Sequence, residues 1–170
     1  MKKLLILPMF LLSACQAAAA FEPPASRVDF PGFVNLTEEA GAYRTQRLVD
    51  IDSFMKMATE PKTMILDARS ESAFARKHIK GAVHLSFSDF SFEGLKQVIP
   101  DKNMRILIYC NNNIEGDTQN FPTKAMPLAL NIPTFINLYG YGYKNVYELS
   151  SLLEASDPRL AFEGTDVVNR

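Results

Sequence analysis

The stretch Arg105-Ile-Leu-Ile-Tyr-Cys-Asn-Asn-Asn-Ile-Glu-Gly constrains the fold more than any other part of the chain. Ile106 to Tyr109 is a short apolar run of buried-strand type. It ends on Cys110 and opens into a polar loop, Asn111 to Asn120, before structure resumes near Pro122. In an α/β sheet, ligands gather at the carboxyl ends of the strands, where loop N–H groups face whatever sits above them. Cys110 occupies that place. A cysteine there is either a small buried hydrophobe or a nucleophile, depending on its exposure and thiol pKa.

Similar runs recur along the chain. Arg47-Leu-Val, Thr63-Met-Ile-Leu-Asp-Ala, Ala82-Val-His-Leu and Asn145-Val-Tyr-Glu-Leu all read as strands. Between them, Asp50 or Asp52 can cap a helix in which Ile51, Phe54, Met55 and Ala58 share a face. Ser70 to Ala75 forms a helical turn, and Phe92 to Val98 reads as a helix. Phe135 to Tyr139 continues another, which Gly140-Tyr-Gly stops. Thr37 is expected to cap a short helix carrying Glu38 and Glu39 in its first turn. Leu149 to Ala155 is expected to form a final helix before a tail, residues 156–170. Strands alternating with helices imply βα units and a largely parallel sheet. With 170 residues, the chain can build one domain and its core without disulfide staples.

Residues 1–20 read as an export signal: Lys2 and Lys3, an apolar run from Leu4 to Leu12 too short to span a membrane, then small residues. Leu12-Ser13-Ala14-Cys15 resembles the lipobox of bacterial lipoproteins, which implies cleavage before Cys15 and lipidation of that cysteine. Cleavage after Ala18-Ala19-Ala20 is the competing reading. Gln16 after the cysteine resembles the pattern of lipoproteins sorted to the outer membrane. The expected location is therefore periplasm-facing on a lipid anchor, or soluble in the periplasm if cleavage is ordinary. Residues 21–46 read as a tether and N-terminal extension.

Either cleavage leaves Cys110 as the single cysteine of the mature domain, an unpaired thiol in an oxidising compartment. The chain carries 18 basic and 19 acidic residues; loss of Lys2 and Lys3 leaves 16 and 19, a net charge of about −3. No basic run or aromatic ladder suggests nucleic acid. Two histidines and one cysteine do not suggest a zinc site.

Ile65-Leu-Asp-Ala-Arg, followed by Phe74-Ala-Arg-Lys-His-Ile-Lys-Gly-Ala-Val-His-Leu, resembles the rhodanese signature. The strand end Tyr109-Cys110 and the segment Gly142-Tyr-Lys-Asn-Val-Tyr-Glu-Leu are similar to the same family in order and spacing, so the resemblance covers residues 47–155. It implies an α/β fold: a five-stranded parallel sheet flanked by helices on both faces. It also implies sulfur transfer through a cysteine persulfide, with no metal or organic cofactor. Carried over by position, Cys110 is the nucleophile, Asp67 and Arg69 support the active-site side of the sheet, and His78, Gly81 and Ala82 form a mainly structural loop. Read from the residues alone, Asp67 is a hydrogen-bonding strand terminus, Arg69 a partner for Glu71, and His84 a core or edge residue.

The chain departs from the family after the cysteine. Rhodaneses typically continue with a short loop, often Cys-Arg-x-Gly-x-Arg. Here the loop holds no arginine, two acids (Glu115 and Asp117) and no cation before Lys124, and residues 126–133 add an insertion ahead of the Phe135 helix. The backbone of Asn111, Asn112, Asn113, Ile114, Glu115 and Gly116 is the expected cradle for a persulfide, with Lys124 or Arg69 as its cation. If those N–H groups prevail over the loop acids, the Cys110 thiol titrates below its ordinary value. Cell-cycle phosphatases of the same fold close their loop with an arginine; none lies between Cys110 and Arg159, which argues against phosphate chemistry. The expected function is a sulfurtransferase or persulfide carrier served by a small sulfur donor and a thiol acceptor. Two alternatives stand beside it: a non-catalytic module whose enlarged loop contacts an envelope protein, and a redox sensor built on Cys110.

Overall fold

The computed structural model describes residues 26–167, so the stretch read as an export signal and the Cys15 expected to carry lipid lie outside the described residues. In chain order the elements are α1 (Phe30–Arg44), β1 (Leu48–Val49), α2 (Ile51–Ala58), β2 (Thr63–Asp67), α3 (Glu71–Arg76), β3 (His78–Ile79) and β4 (Ala82–His84). They continue with α4 (Phe92–Val98), β5 (Arg105–Tyr109), β6 (Ile114–Glu115), α5 (Asn131–Gly140), β7 (Val146–Leu149), β8 (Leu153–Glu154) and β9 (Phe162–Glu163). Among the described residues, no helix is long and apolar enough to cross a membrane.

Five strands form the main sheet in the order β1-β7-β5-β2-β4, and every pairing is parallel. Alternation along the central strands divides the core. Ile65, Leu107 and Tyr109 face Ile51 and Phe54 of α2. Leu66, Ile106 and Ile108 face Ala40 of α1, Leu95 of α4, and Phe135 and Leu138 of α5. Both faces of the sheet are covered, which is why its strands read as unbroken apolar runs. The fold is the α/β, five-stranded parallel sheet with helices on both faces that the motifs implied.

Local chemistry starts most helices where it should. Asp29, Asp50, Ser70 and Ser91 each accept a backbone N–H from the first turn of α1, α2, α3 and α4. Asp50, not Asp52, is the cap of α2. Helix α1 starts earlier than expected, at Phe30, with Pro31 in its opening turn. Thr37 therefore lies inside it, donating its hydroxyl to the Phe33 carbonyl at 2.8 Å. Much of the stretch read as a tether is helix. Helix α5 likewise begins at Asn131, inside the presumed insertion, and tolerates Pro133 because first-turn N–H groups have no partner within the helix.

The final helix expected over Leu149 to Ala155 does not form. Local composition favours a helix there, but long-range pairing prevails: β8 pairs with β6 in parallel, Ile114 opposite Leu153 and Glu115 opposite Glu154. The segment read as a tail is partly ordered structure. β9 pairs antiparallel with β3, and Leu160 is buried.

Candidate active site

The pairing of Asp67 with Tyr109 brings the ends of β2 and β5 to one edge of the sheet. Asp67 is 0% exposed, and a carboxylate there requires compensation. The Arg69 backbone N–H donates to its Oδ1 at 3.0 Å, and the Arg69 guanidinium donates from Nε (3.0 Å to Oδ1) and Nη2 (2.7 Å to Oδ2). The Tyr109 hydroxyl donates to Oδ2 at 2.5 Å and accepts the Ile79 N–H. Burial, then the neighbouring Asp67 charge, push the Tyr109 hydroxyl well above its ordinary range, so it remains a donor.

Arg69 pairs with Asp67, not with Glu71. It also donates to the carbonyls of Asn120 and Lys77 and lies 4.6 Å from the Phe121 ring centroid. This network ties β2, β3 and the far end of the loop together. His78 and His84 are anchors of the same kind, bonded to the carbonyls of Phe74 and Arg69. Gly81 takes the positive φ (79°) that its turn requires.

Cys110 stands on the other face. Its extended backbone (φ −146°, ψ −175°) continues the alternation of β5, so its side chain follows Ile108 toward the start of α5. Helix α5 has no side-chain N-cap, which leaves its first N–H groups for another acceptor. The backbone N–H groups of Asn131, Asn112 and Leu130 favour the thiolate form of Cys110. Asn113 fixes the cysteine itself: its Oδ1 accepts the Cys110 N–H at 2.9 Å, and its Nδ2 donates to the carbonyls of Leu149 (2.9 Å) and Ser151 (3.2 Å).

The sulfur is enclosed, and Cys110 is 1% exposed. Burial pushes its thiol above the ordinary value, against the three N–H groups, and the Glu148 carboxylate adds to the rise. The expectation of a lowered thiol is overturned. Desolvation of the sulfur is the influence the sequence did not display. Nor do the loop acids supply the opposing charge. Glu115 is exposed on β6, and Asp117 is ion-paired with Lys77 at 2.9 Å.

Of the expected cradle, the Asn112 N–H favours the Cys110 thiolate, Asn113 holds the cysteine backbone, and Asn111 lines the cleft above. Ile114, Glu115 and Gly116 lie elsewhere. Ile114 is core, Glu115 pairs with β8, and Gly116 turns at φ 80° against Glu154, where a Cβ would stand 2.5 Å from Oε2.

The sequence reading passed over Glu148, which is 5% exposed near the end of β7. Arg44 of α1 grips it with two bonds, Nε to Oε2 at 2.5 Å and Nη2 to Oε1 at 2.6 Å. Asn131 Nδ2 donates both to Glu148 Oε1 (3.4 Å) and to Asn113 Oδ1 (3.0 Å). A lone acid inside an apolar strand was the visible clue, but its partner lies 104 residues away.

A cleft of about 360 Å³ opens above the strand ends, lined in part by Ser70, Arg76, Ser86, Asn111, Lys124 and Leu130. Arg76, unforeseen as a site residue, and Lys124 bring positive charge to it, whereas Arg69 is committed to Asp67. Among the described residues, the buried Oδ1 atoms of Asn111 and Asn131 and Oγ1 of Thr134 have no hydrogen-bond partner, and neither does Arg105 Nε at the other end of β5. Among the same residues, no cluster of three His, Cys, Asp or Glu side chains is placed to hold a metal.

A family model described as Rhodanese-like domain matches residues 50–152, more than half of the chain. No curated protein matches. Among solved structures, the Alr3790 protein from Anabaena sp. is 20% identical, with 70% of this chain and 94% of that one covered and a TM-score of 0.44. A rhodanese with anions from E. coli is 18% identical, with 60% and 98% covered and a TM-score of 0.40. The BH2092 protein from Bacillus halodurans is 16% identical, with 78% and 88% covered and a TM-score of 0.46.

Proposed function

The chain belongs to the rhodanese-like family, a family of sulfurtransferase type, and from that membership we propose that it is a sulfurtransferase or persulfide carrier acting through Cys110. The observation that carries this reading is the place of Cys110 at the end of the central strand β5, with α5 starting uncapped nearby and the backbone N–H groups of Asn112, Leu130 and Asn131 favouring its thiolate. In the proposed step the Cys110 thiolate attacks the sulfane sulfur of a small donor such as thiosulfate. The donor S–S bond breaks, sulfite leaves with the electron pair, and Cys110 holds the sulfur as a persulfide anion. An acceptor thiolate then takes the outer sulfur and returns Cys110 to the thiolate. The N–H groups and the start of α5 stabilise the anion at each stage, and Arg76 with Lys124 attracts the anionic donor to the cleft.

The enclosure of Cys110 favours a second reading, a binding module that has kept the fold without the chemistry. Its exposed loop residues Met126 and Leu128 would then meet an envelope protein. One measurement separates the two. After exposure to thiosulfate or a polysulfide, intact-protein mass spectrometry should show the gain of one sulfur atom, absent in Cys110→Ser. No gain, together with a thiol inert to alkylation in the folded protein, selects the binding module.

We also propose an envelope location, supported by the layout of residues 1–20, with Cys15 as the lipid anchor. The mature protein should then begin at Cys15 and partition into detergent. A mature N-terminus at Phe21 without lipid would end the anchoring proposal.

A further inference from the structure

Behind Cys110 lies a continuous buried polar path that the sulfur-transfer scheme does not use. It runs from the cysteine N–H to the Asn113 amide, on to the Asn131 amide, and from there to the Glu148 carboxylate clasped by Arg44. Every member comes from a different part of the fold: the end of β5, the turn after it, the first residue of α5, β7 and the last residue of α1. A carboxylate inside a parallel sheet is a poor choice for stability alone, since an apolar residue of similar size is usually no worse. Here it lies on the same face of the sheet as the reactive sulfur, one strand across from Ile108.

We propose that Glu148 and Arg44 are positioning residues for Cys110, acting through Asn131 and Asn113, so that helix α1 is a working part of the site. The proposal rests on the reading of Cys110 as the reactive group. Glu148 orients the Asn131 amide, which in turn aims the Asn113 carbonyl at the cysteine backbone. Arg44 keeps the Glu148 charge from bearing in full on the sulfur. The other charged groups near Cys110 are accounted for. Asp67 and Arg69 neutralise each other on the opposite face, Asp117 is paired with Lys77, Glu115 is exposed on β6, and Arg76 and Lys124 stand in the cleft. The start of α5 and its cap residue, Leu130 to Thr134, hold no ionisable side chain.

The test titrates Cys110 in the full chain by the ¹³Cβ resonance of labelled cysteine, assigned by its loss in Cys110→Ser, a readout independent of sulfur transfer. Glu148→Gln removes the negative charge and should move the midpoint to lower pH. Arg44→Met strands that charge beside the sulfur and should move it to higher pH. Arg44→Lys keeps the charge and should stay near the wild type, and the double variant Arg44→Met with Glu148→Gln should fall below Arg44→Met. Loosening of the site alone would expose the thiol in Glu148→Gln and Arg44→Met alike and lower both midpoints. Shifts of the same sign, or none, overturn the proposal. If Arg44→Met does not fold, a Glu148→Gln midpoint that fails to fall, or an Arg44→Lys midpoint that departs from the wild type as far as Glu148→Gln does, overturns it as well. If the midpoints split as expected while no sulfur is taken up, the relay stands and the sulfurtransferase reading fails.

Discussion

Two carboxylates are buried in this sheet, one on each face, and the chain pairs them with arginine in opposite ways. Asp67 and Arg69 are two residues apart, with side chains 0% and 2% exposed, and a tyrosine and two carbonyls complete the set. Glu148 and Arg44 are 104 residues apart, and the Arg44 side chain is 33% exposed. The first pair is sealed, so its work is to hold β2, β3 and the loop in place. The second is open to water at its cationic end and lies on the face of the sulfur. Burial of a charge therefore serves a frame in one case and, in the proposal above, a site in the other, and closure at the far end is what distinguishes them.

The largest expected effect tests the sealed pair. Asp67→Ala strands a buried guanidinium and a buried hydroxyl and should destabilise the fold by about 3–5 kcal/mol. Glu148→Ala should cost about 1–3 kcal/mol, because Arg44 can turn toward water. Urea unfolding of both variants decides it, and equal losses would erase the distinction.

The next prediction concerns alkali. The Cys110 thiol is raised above its unfolded value, so the folded state holds its proton more tightly. The stability this contributes is fully present below the ordinary thiol value of about 8.5 and is lost as pH rises through the higher folded value. Wild type should therefore lose stability relative to Cys110→Ser as pH climbs past that point. A difference that stays constant from about pH 7 to about pH 10 would show that the thiol is not desolvated.

The smallest effect concerns the loop. Glu115→Gln combined with Asp117→Asn should leave the Cys110 titration where it is and cost at most about 1 kcal/mol through the lost Lys77 pair. A midpoint that falls would bring these acids back to the sulfur and weaken the assignment of Glu148 as the charge that matters there.

The comparison also explains what the sequence disclosed. Strands such as Thr63–Asp67 and Arg105–Tyr109 were legible because burial on both faces writes an unbroken apolar run. The cap of α2 was legible because Asp50 acts within three residues, whereas Thr37, also read as a cap, lies inside α1. Cys110 was found as a place, at the end of the central strand. Its environment was not, because the groups that set it arrive from α1, α5 and β7, and no local pattern encodes such a meeting. The helix expected over Leu149 to Ala155 failed for the same reason: β6 supplies a partner that no window of sequence contains.

β7 is the last of the main-sheet strands in the chain, yet it lies between β1 and β5. Until it inserts, β1 has nothing to pair with in the sheet, one edge of β5 stays open, and the polar path behind Cys110 lacks Glu148. Closing such distant segments is slow beside the formation of single helices. Thiols are attacked by oxidants in proportion to access as well as ionisation. The exposure of Cys110 to oxidants is thus concentrated in an interval of assembly, between the appearance of β5 and the arrival of β7, and a mutation that delays that arrival lengthens the exposure without altering the finished form.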